Sequence, residues 1–174
     1  PILYDPIKAE QAETNVRILR EIIAYTCERG LNPYVTDTEF TYPKRLVQAF
    51  PQILGDHSNP FDKNHVKTVL CPSNPFTWEF FEAKLSELVQ KVPKMAGLDL
   101  WLSDAHSDIL ACQCRKCKDY PPHKRIIDLI RKTLSILQSD GVERKLIFRT
   151  SFYDTYTNLY SSEWLNLLVK EIPK

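Results

Sequence analysis

The stretch Gly97–Cys117, GLDLWLSDAHSDILACQCRKC, decides the fold that we predict for this chain. Its apolar run, Leu98 to Leu102, is typical of a strand that is buried in a sheet. Asp104, His106 and Asp108 follow the run, and three cysteines come directly after them. A strand that leads into such polar residues predicts a functional site at its carboxyl end.

Helices and strands alternate on both sides of this stretch. Cap residues and first-turn prolines predict helices after Asp5-Pro6, Asn74-Pro75 and Pro121-Pro122, a short helix near Lys44, and a last helix after Ser161 or Ser162. Apolar, β-branched and aromatic runs predict strands at residues 33–40, 68–71, 98–102 and 145–152. This order predicts an α/β fold made of parallel (β/α) units.

Four strands do not close a barrel, because an eight-stranded TIM barrel typically needs about 250 residues. The chain has 174 residues and begins with a proline. We therefore predict that residues 1–174 form a single α/β domain that is part of a larger (β/α)8 barrel. Open sheet edges would then favour self-association of the segment. A free-standing, doubly wound sheet is the competing interpretation.

Composition narrows the classes of partner. Apolar residues make up 43% of the chain and charged residues 26%, and the net charge is +1. Such a balance gives no electrostatic attraction to nucleic acid or to an anionic membrane, and no apolar run reaches the length of a membrane span. We therefore expect neither partner. A periplasmic or secreted location is expected only if a longer parent protein carries a signal peptide.

The cysteines predict a metal site. Cys112, Cys114 and Cys117 form a C-x-C-x-x-C motif, and Cys71 ends the preceding predicted strand. Four thiolates make a closed tetrahedral zinc site of the structural kind. Disulfides or an iron–sulfur cluster remain alternatives, and His106 or His123 could replace Cys71 as the fourth ligand.

Three stretches carry a resemblance to a known family: ERGLNPYVTDTEF, LCPSNPFTWEFFEAKLSELVQKVPKMAGLDLWLSD and ACQCRKC. They cover about half of the chain. In this order they resemble a bacterial family of glycoside-hydrolase-like barrels that is allied to α-glucuronidases. The resemblance implies a TIM barrel that cleaves glycosidic bonds with carboxylates at its strand ends, and therefore a carbohydrate substrate.

Asp104 and Glu39 are the predicted catalytic carboxylates. Asp104 has the strand parity of Leu98, Leu100 and Leu102, so it emerges at the barrel mouth if those leucines face the interior. Glu39 ends its own predicted strand in the same way. Glycosidases typically use two catalytic carboxyl groups about 5–10 Å apart. Acids at strand ends also cap helices or pair with bases, which is the alternative interpretation.

Four further residues are predicted to bind substrate: Asp37, Asn74, His106 and Arg149. Asn74 also fits a helix cap, and His106 also fits a surface ion pair. Arg149 suits a uronic-acid carboxylate, which a guanidinium binds through two hydrogen bonds. Its alternative is a salt bridge to Asp37, Glu39 or Asp104. Trp101 has the opposite parity from Asp104 and is expected to pack beneath a helix.

The predicted function is that of a carbohydrate-active barrel segment, a glycoside hydrolase if it is active. One alternative is a glycan-binding module that has lost its catalytic acids. Another is a zinc-stabilised interaction domain, for which the most exposed apolar patch should surround Cys112 to Cys117.

Overall fold

The computed structural model of the chain describes residues 6–38, 40–55, 70–102, 112, 114–149 and 162–172. The helices in these ranges are α1 (Pro6–Cys27), α2 (Lys44–Ala49), α3 (Pro75–Lys91), α4 (Arg115–Lys118), α5 (Pro122–Leu137) and α6 (Ser162–Glu171). The strands are β1 (Tyr34–Thr38), β2 (Gly97–Trp101) and β3 (Lys145–Arg149). The predicted mixed α/β class is confirmed. None of the described helices is long and apolar enough to cross a bilayer.

The three strands form one parallel sheet in the order β1-β2-β3, which is their order along the chain. Tyr34 of β1 pairs with Gly97 of β2, and Gly97 pairs in turn with Lys145 of β3. All three strands have five residues, so their carboxyl ends meet at one edge of the sheet. We call this edge, where Thr38, Trp101 and Arg149 lie, the carboxyl edge.

The helix starts follow the predicted capping chemistry. Asn74 caps α3: its side-chain oxygen accepts a hydrogen bond from the backbone N–H of Phe76 at 3.1 Å, and Pro75 opens the first turn. Pro122 opens α5 in the same way. Gly30 follows α1 with a φ of 73°, a conformation that glycine adopts without steric cost.

The predicted strand at residues 68–71 is wrong where the structure describes it, at Leu70 and Cys71. Leu70 makes an isolated antiparallel bridge with Leu54, and the N–H of Cys71 donates to the carbonyl of Ile53 at 2.9 Å. Pro72 follows and has no N–H to extend the pairing. The pair therefore lies outside the parallel sheet, in which β1 lies directly beside β2.

The apolar core lies on one face of the sheet. Leu98, Leu100 and Leu102 are buried there against α3 and α5, in a cluster that also takes in α1 through Ile23 and α6 through Leu168. The opposite face, which we call the open face, carries Thr36, Asp99, Trp101, Ile147 and Arg149 in register. Ile147 is 40% exposed on it.

This arrangement differs from the expected orientation of β2, in which the leucines face a barrel interior. The leucines face the helices, so in a barrel they would point outward and the open face would become the interior. The condition under which strand parity predicted Asp104 and Glu39 at the barrel mouth is therefore not met, and their predicted catalytic roles rest on the family resemblance. We expected Trp101 to pack beneath a helix. It lies instead on the open face, opposite the helices of the core cluster. A run such as GLDLW is apolar enough for either orientation, and only the packing of the helices decides between them.

A buried arginine fixes the turn between α5 and β3. Arg144 donates to the carbonyls of Leu137 and Pro93, each at 2.9 Å, and so links the ends of α5 and α3. Its guanidinium also binds both carboxylate oxygens of Asp140, at 2.7 and 2.9 Å. This bidentate geometry is the strongest kind of ion pair that an arginine forms.

Candidate functional site

Four cysteines from two distant parts of the chain lie close together. Cys71 lies just before α3, and Cys112 lies in the connection that follows β2. Cys114 is the N-cap residue of α4, and Cys117 lies within that helix. Cys71, Cys112 and Cys117 are buried, whereas Cys114 is half-buried. The structure thus brings together all four cysteines that the sequence predicted to bind a metal.

The sulfur geometry fits a metal ion better than a disulfide. All four Sγ atoms lie within 4.8 Å of one another. Sγ of Cys71 is 3.7 Å from Sγ of Cys114 and 3.6 Å from Sγ of Cys117. A tetrahedron with metal–sulfur bonds of ~2.3 Å has edges of ~3.8 Å, whereas a disulfide joins its sulfurs at ~2.05 Å. All five cysteines of the chain are free thiols.

Backbone N–H groups point at three of the sulfurs. Ser73 donates to Cys71, Cys114 donates to Cys112, and Cys117 donates to Cys114. The hydroxyl of Ser73 also lies 3.0 Å from Sγ of Cys117. Hydrogen bonds of this kind stabilise thiolates, which are the form that binds a metal.

Burial raises the pKa values of these thiols, and the backbone N–H hydrogen bonds lower them. Burial raises the pKa of Cys71 to about 11 and raises the pKa of Cys112 strongly as well. Cys114 is less buried, so hydrogen bonds from Cys117 and from the neighbouring thiols outweigh desolvation and lower its pKa to about 7. A metal ion must therefore displace protons from Cys71 and Cys112 when it binds.

The predicted substrate-binding residues Asp37 and Asn74 both have internal partners. Oδ2 of Asp37 lies 2.8 Å from Nζ of Lys84 on α3, and Oδ1 accepts from the N–H of Thr38 at 2.9 Å. The carboxylate of Asp37 thus lies on the helix-covered face. The side chain of Asn74 caps α3 and also donates to the carbonyl of Gln52 at 2.9 Å.

Arg149 lies at the carboxyl edge, on the open face, and its partner is an acid that the sequence analysis missed. Nη2 of Arg149 is 2.6 Å from Oδ2 of Asp99, whose side chain is 6% exposed. The guanidinium also lies over the ring of Trp101, 5.2 Å from its centroid. In the part of the chain that the structure describes, Oδ1 of Asp99 and Nε1 of Trp101 are buried and make no hydrogen bond. The sequence offered one sign that Asp99 is important: it is an acid inside the apolar run Leu98 to Leu102.

Three other predicted site residues, Glu39, Asp104 and His106, lie outside the described residues, and their roles stay predictions.

Comparisons of the chain with protein-family models, curated proteins and solved structures find no match. The site is therefore interpreted from its own geometry, and the relationship to barrels allied to α-glucuronidases remains a prediction.

Proposed function

We propose that this chain is a zinc-stabilised segment of a carbohydrate-active (β/α) barrel, which hydrolyses glycosidic bonds when the barrel is complete. The observation that carries the metal part is the cluster of four Sγ atoms within 4.8 Å. A zinc ion bound by Cys71, Cys112, Cys114 and Cys117 would have no open position for water, so its role is structural. It would tie the connection after β2 to the start of α3.

Thermal unfolding with and without a chelator tests the metal part. A chelator should lower the Tm of the unsubstituted protein, because metal binding then contributes to folding. Cys114→Ser should have a lower Tm and lose the chelator effect. Cys27→Ser should keep it, because Cys27 lies outside the cluster, with Sγ 3.6 Å from the carbonyl of Lys94. A Tm that the chelator leaves unchanged in the unsubstituted protein would refute the metal part.

The barrel part is supported by the sheet order and by the position of the helices. Strands paired in chain order are typical of a barrel segment, whereas a doubly wound sheet reverses its order and has helices on both faces. The core cluster of the described residues lies on one face only. Exposed apolar residues of α1, Ile7, Ile18, Ile22 and Tyr25, offer a surface that a further helix of a barrel would cover.

Light scattering tests the barrel part. The isolated segment should self-associate at high concentration, because β1 and β3 are the edges of the described sheet and the apolar surface of α1 is uncovered. A strict monomer at high concentration would count against a barrel segment and favour a free-standing domain.

The carbohydrate part rests on the family resemblance, supported by an acid, an arginine and a tryptophan on the open face near the carboxyl edge. Asp104→Asn and Glu39→Gln in a complete parent protein, assayed on glycosides and glucuronosyl oligosaccharides, test it. Loss of a catalytic acid should reduce turnover about 100-fold or more. Full turnover in both variants would refute these catalytic roles, and glycan binding without any turnover in the parent would favour a binding module.

The interaction-domain alternative finds less support. It places the most exposed apolar patch around Cys112 to Cys117. Among the described residues, half of the large exposed apolar side chains lie on α1, and none lies at residue 112 or at residues 114–118. The exposed residues of α4 are instead basic: Arg115, Lys116 and Lys118.

A further inference from the structure

A buried arginine on α5 donates hydrogen bonds to the segment of residues 112 and 114–120, which we call the cysteine loop. Arg125 is 3% exposed. Its Nη1 donates to the carbonyl of Cys112 at 3.2 Å, its Nη2 donates to the carbonyl of Cys117, and its Nε donates to the carbonyl of Tyr120 at 2.6 Å. One guanidinium therefore holds three carbonyls of the loop, and two of them belong to cysteines of the cluster.

A four-cysteine metal centre carries a negative charge that a nearby arginine can compensate. Four thiolates and one divalent ion carry a net charge of −2, and Cys112 and Cys117 are fully buried. A buried charge is costly unless a counter-charge compensates it. Arginine keeps its positive charge at every relevant pH, and its planar fork binds several acceptors at once.

We propose that Arg125 is a positioning residue of the metal centre: its guanidinium compensates the charge of the thiolates and fixes the backbone at Cys112 and Cys117. This inference rests on the proposed zinc site. Arg125 donates to the backbone carbonyls of Cys112 and Cys117. It acts through the two cysteines, as residues that orient metal ligands from outside the coordination sphere do.

A second buried arginine provides a matched control. Arg144 is 1% exposed and also donates to two backbone carbonyls, those of Leu137 and Pro93. Its guanidinium also binds the carboxylate of Asp140, and none of these residues belongs to the cysteine cluster. Substitution of Arg144 therefore removes a comparable set of buried hydrogen bonds away from the metal.

The experiment measures the zinc dissociation constant by competition with a chromogenic chelator, and the absorption spectrum of the cobalt-substituted protein. Arg125→Met should weaken zinc binding by about 10- to 100-fold. Arg125→Lys retains the charge without the fork, so it should lose less affinity and alter the cobalt spectrum. Arg144→Met should lower the Tm but leave the zinc affinity and the cobalt spectrum unchanged.

Two results would overturn the inference: unchanged zinc affinity in both Arg125 variants, or an equal loss of affinity in Arg144→Met, which would mean that the effect is general destabilisation. If Arg125→Met does not fold, Arg125→Lys decides alone, and an unchanged affinity and spectrum overturn the inference. Failure of the unsubstituted protein to bind zinc is a separate outcome, because it refutes the proposed metal site itself.

Discussion

Arg149 and Asp99 form an ion pair between neighbouring strands, with Nη2 and Oδ2 2.6 Å apart. The two side chains differ in exposure: that of Asp99 is 6% exposed and that of Arg149 is 52% exposed. The arginine is thus held by the protein's own acid, in the central strand of the described sheet. A ligand carboxylate at this position would have to compete with Asp99 for the guanidinium.

The difference in exposure predicts an asymmetry between two substitutions. Arg149→Met leaves a buried carboxylate without its counter-charge and should lower the free energy of unfolding by about 1–3 kcal/mol. Asp99→Asn leaves an arginine that water can reach and should cost less. Urea unfolding of both variants measures the difference. An Asp99→Asn variant that loses as much stability as Arg149→Met would contradict this account of the pair.

The pair of Asp140 and Arg144 predicts a pH dependence. Hydrogen bonds from the Arg144 guanidinium, and then from the N–H of Val142, lower the pKa of Asp140 to about 2. Because the folded pKa lies below the unfolded value of about 3.9, the ionised carboxylate stabilises the fold above about pH 4, and this stabilisation is lost as the pH falls towards 2.

Asp140→Asn should therefore be less stable than the unsubstituted protein at neutral pH, and the difference should shrink between about pH 4 and pH 2. Urea unfolding at several pH values measures it. Both proteins carry the same cysteines, so acid-induced metal release affects them alike. A difference that stays constant down to pH 2 would show that the charge of Asp140 does not matter.

Gly97 at the start of β2 leaves no space for a side chain. A Cβ at this position would lie 2.1 Å from the carbonyl oxygen of Lys145 and 2.6 Å from Cε1 of Tyr34. The backbone of β3 at Lys145 and the ring of Tyr34 would have to move, so Gly97→Ala should lower the free energy of unfolding by about 3 kcal/mol. Gly141→Ala is the control: its φ is 78° but its surroundings are open, and it should cost about 1–2 kcal/mol. Equal stability of Gly97→Ala and the unsubstituted protein would contradict the close approach of the strands.

Local signals predicted most of the elements. Asn74-Pro75 and Pro121-Pro122 mark α3 and α5, because capping and first-turn proline effects depend on neighbouring residues only. The strand that begins at Lys145 was predicted at its first residue. The C-x-C-x-x-C spacing pointed to the metal cluster, and Cys71 was its predicted distant member.

Features that depend on tertiary packing were not predictable. The sequence does not say which face of β2 the helices cover, so Asp99 was missed. The interior orientation of the β2 leucines, on which the position predicted for Asp104 depended, is not the one observed. Leu70 has the composition of a strand residue, but its partner is Leu54 and not the parallel sheet. Arg125 looks like an ordinary helix residue until α5 packs against the cysteine loop.

Metal analysis combined with X-ray absorption at the zinc edge tests the four-cysteine centre most directly. Protein purified under reducing conditions, without added metal, should contain about one zinc ion per chain, bound by sulfur alone at ~2.3 Å. A protein without zinc, in which Cys71 is joined by a disulfide to Cys112, Cys114 or Cys117, would contradict the proposed centre.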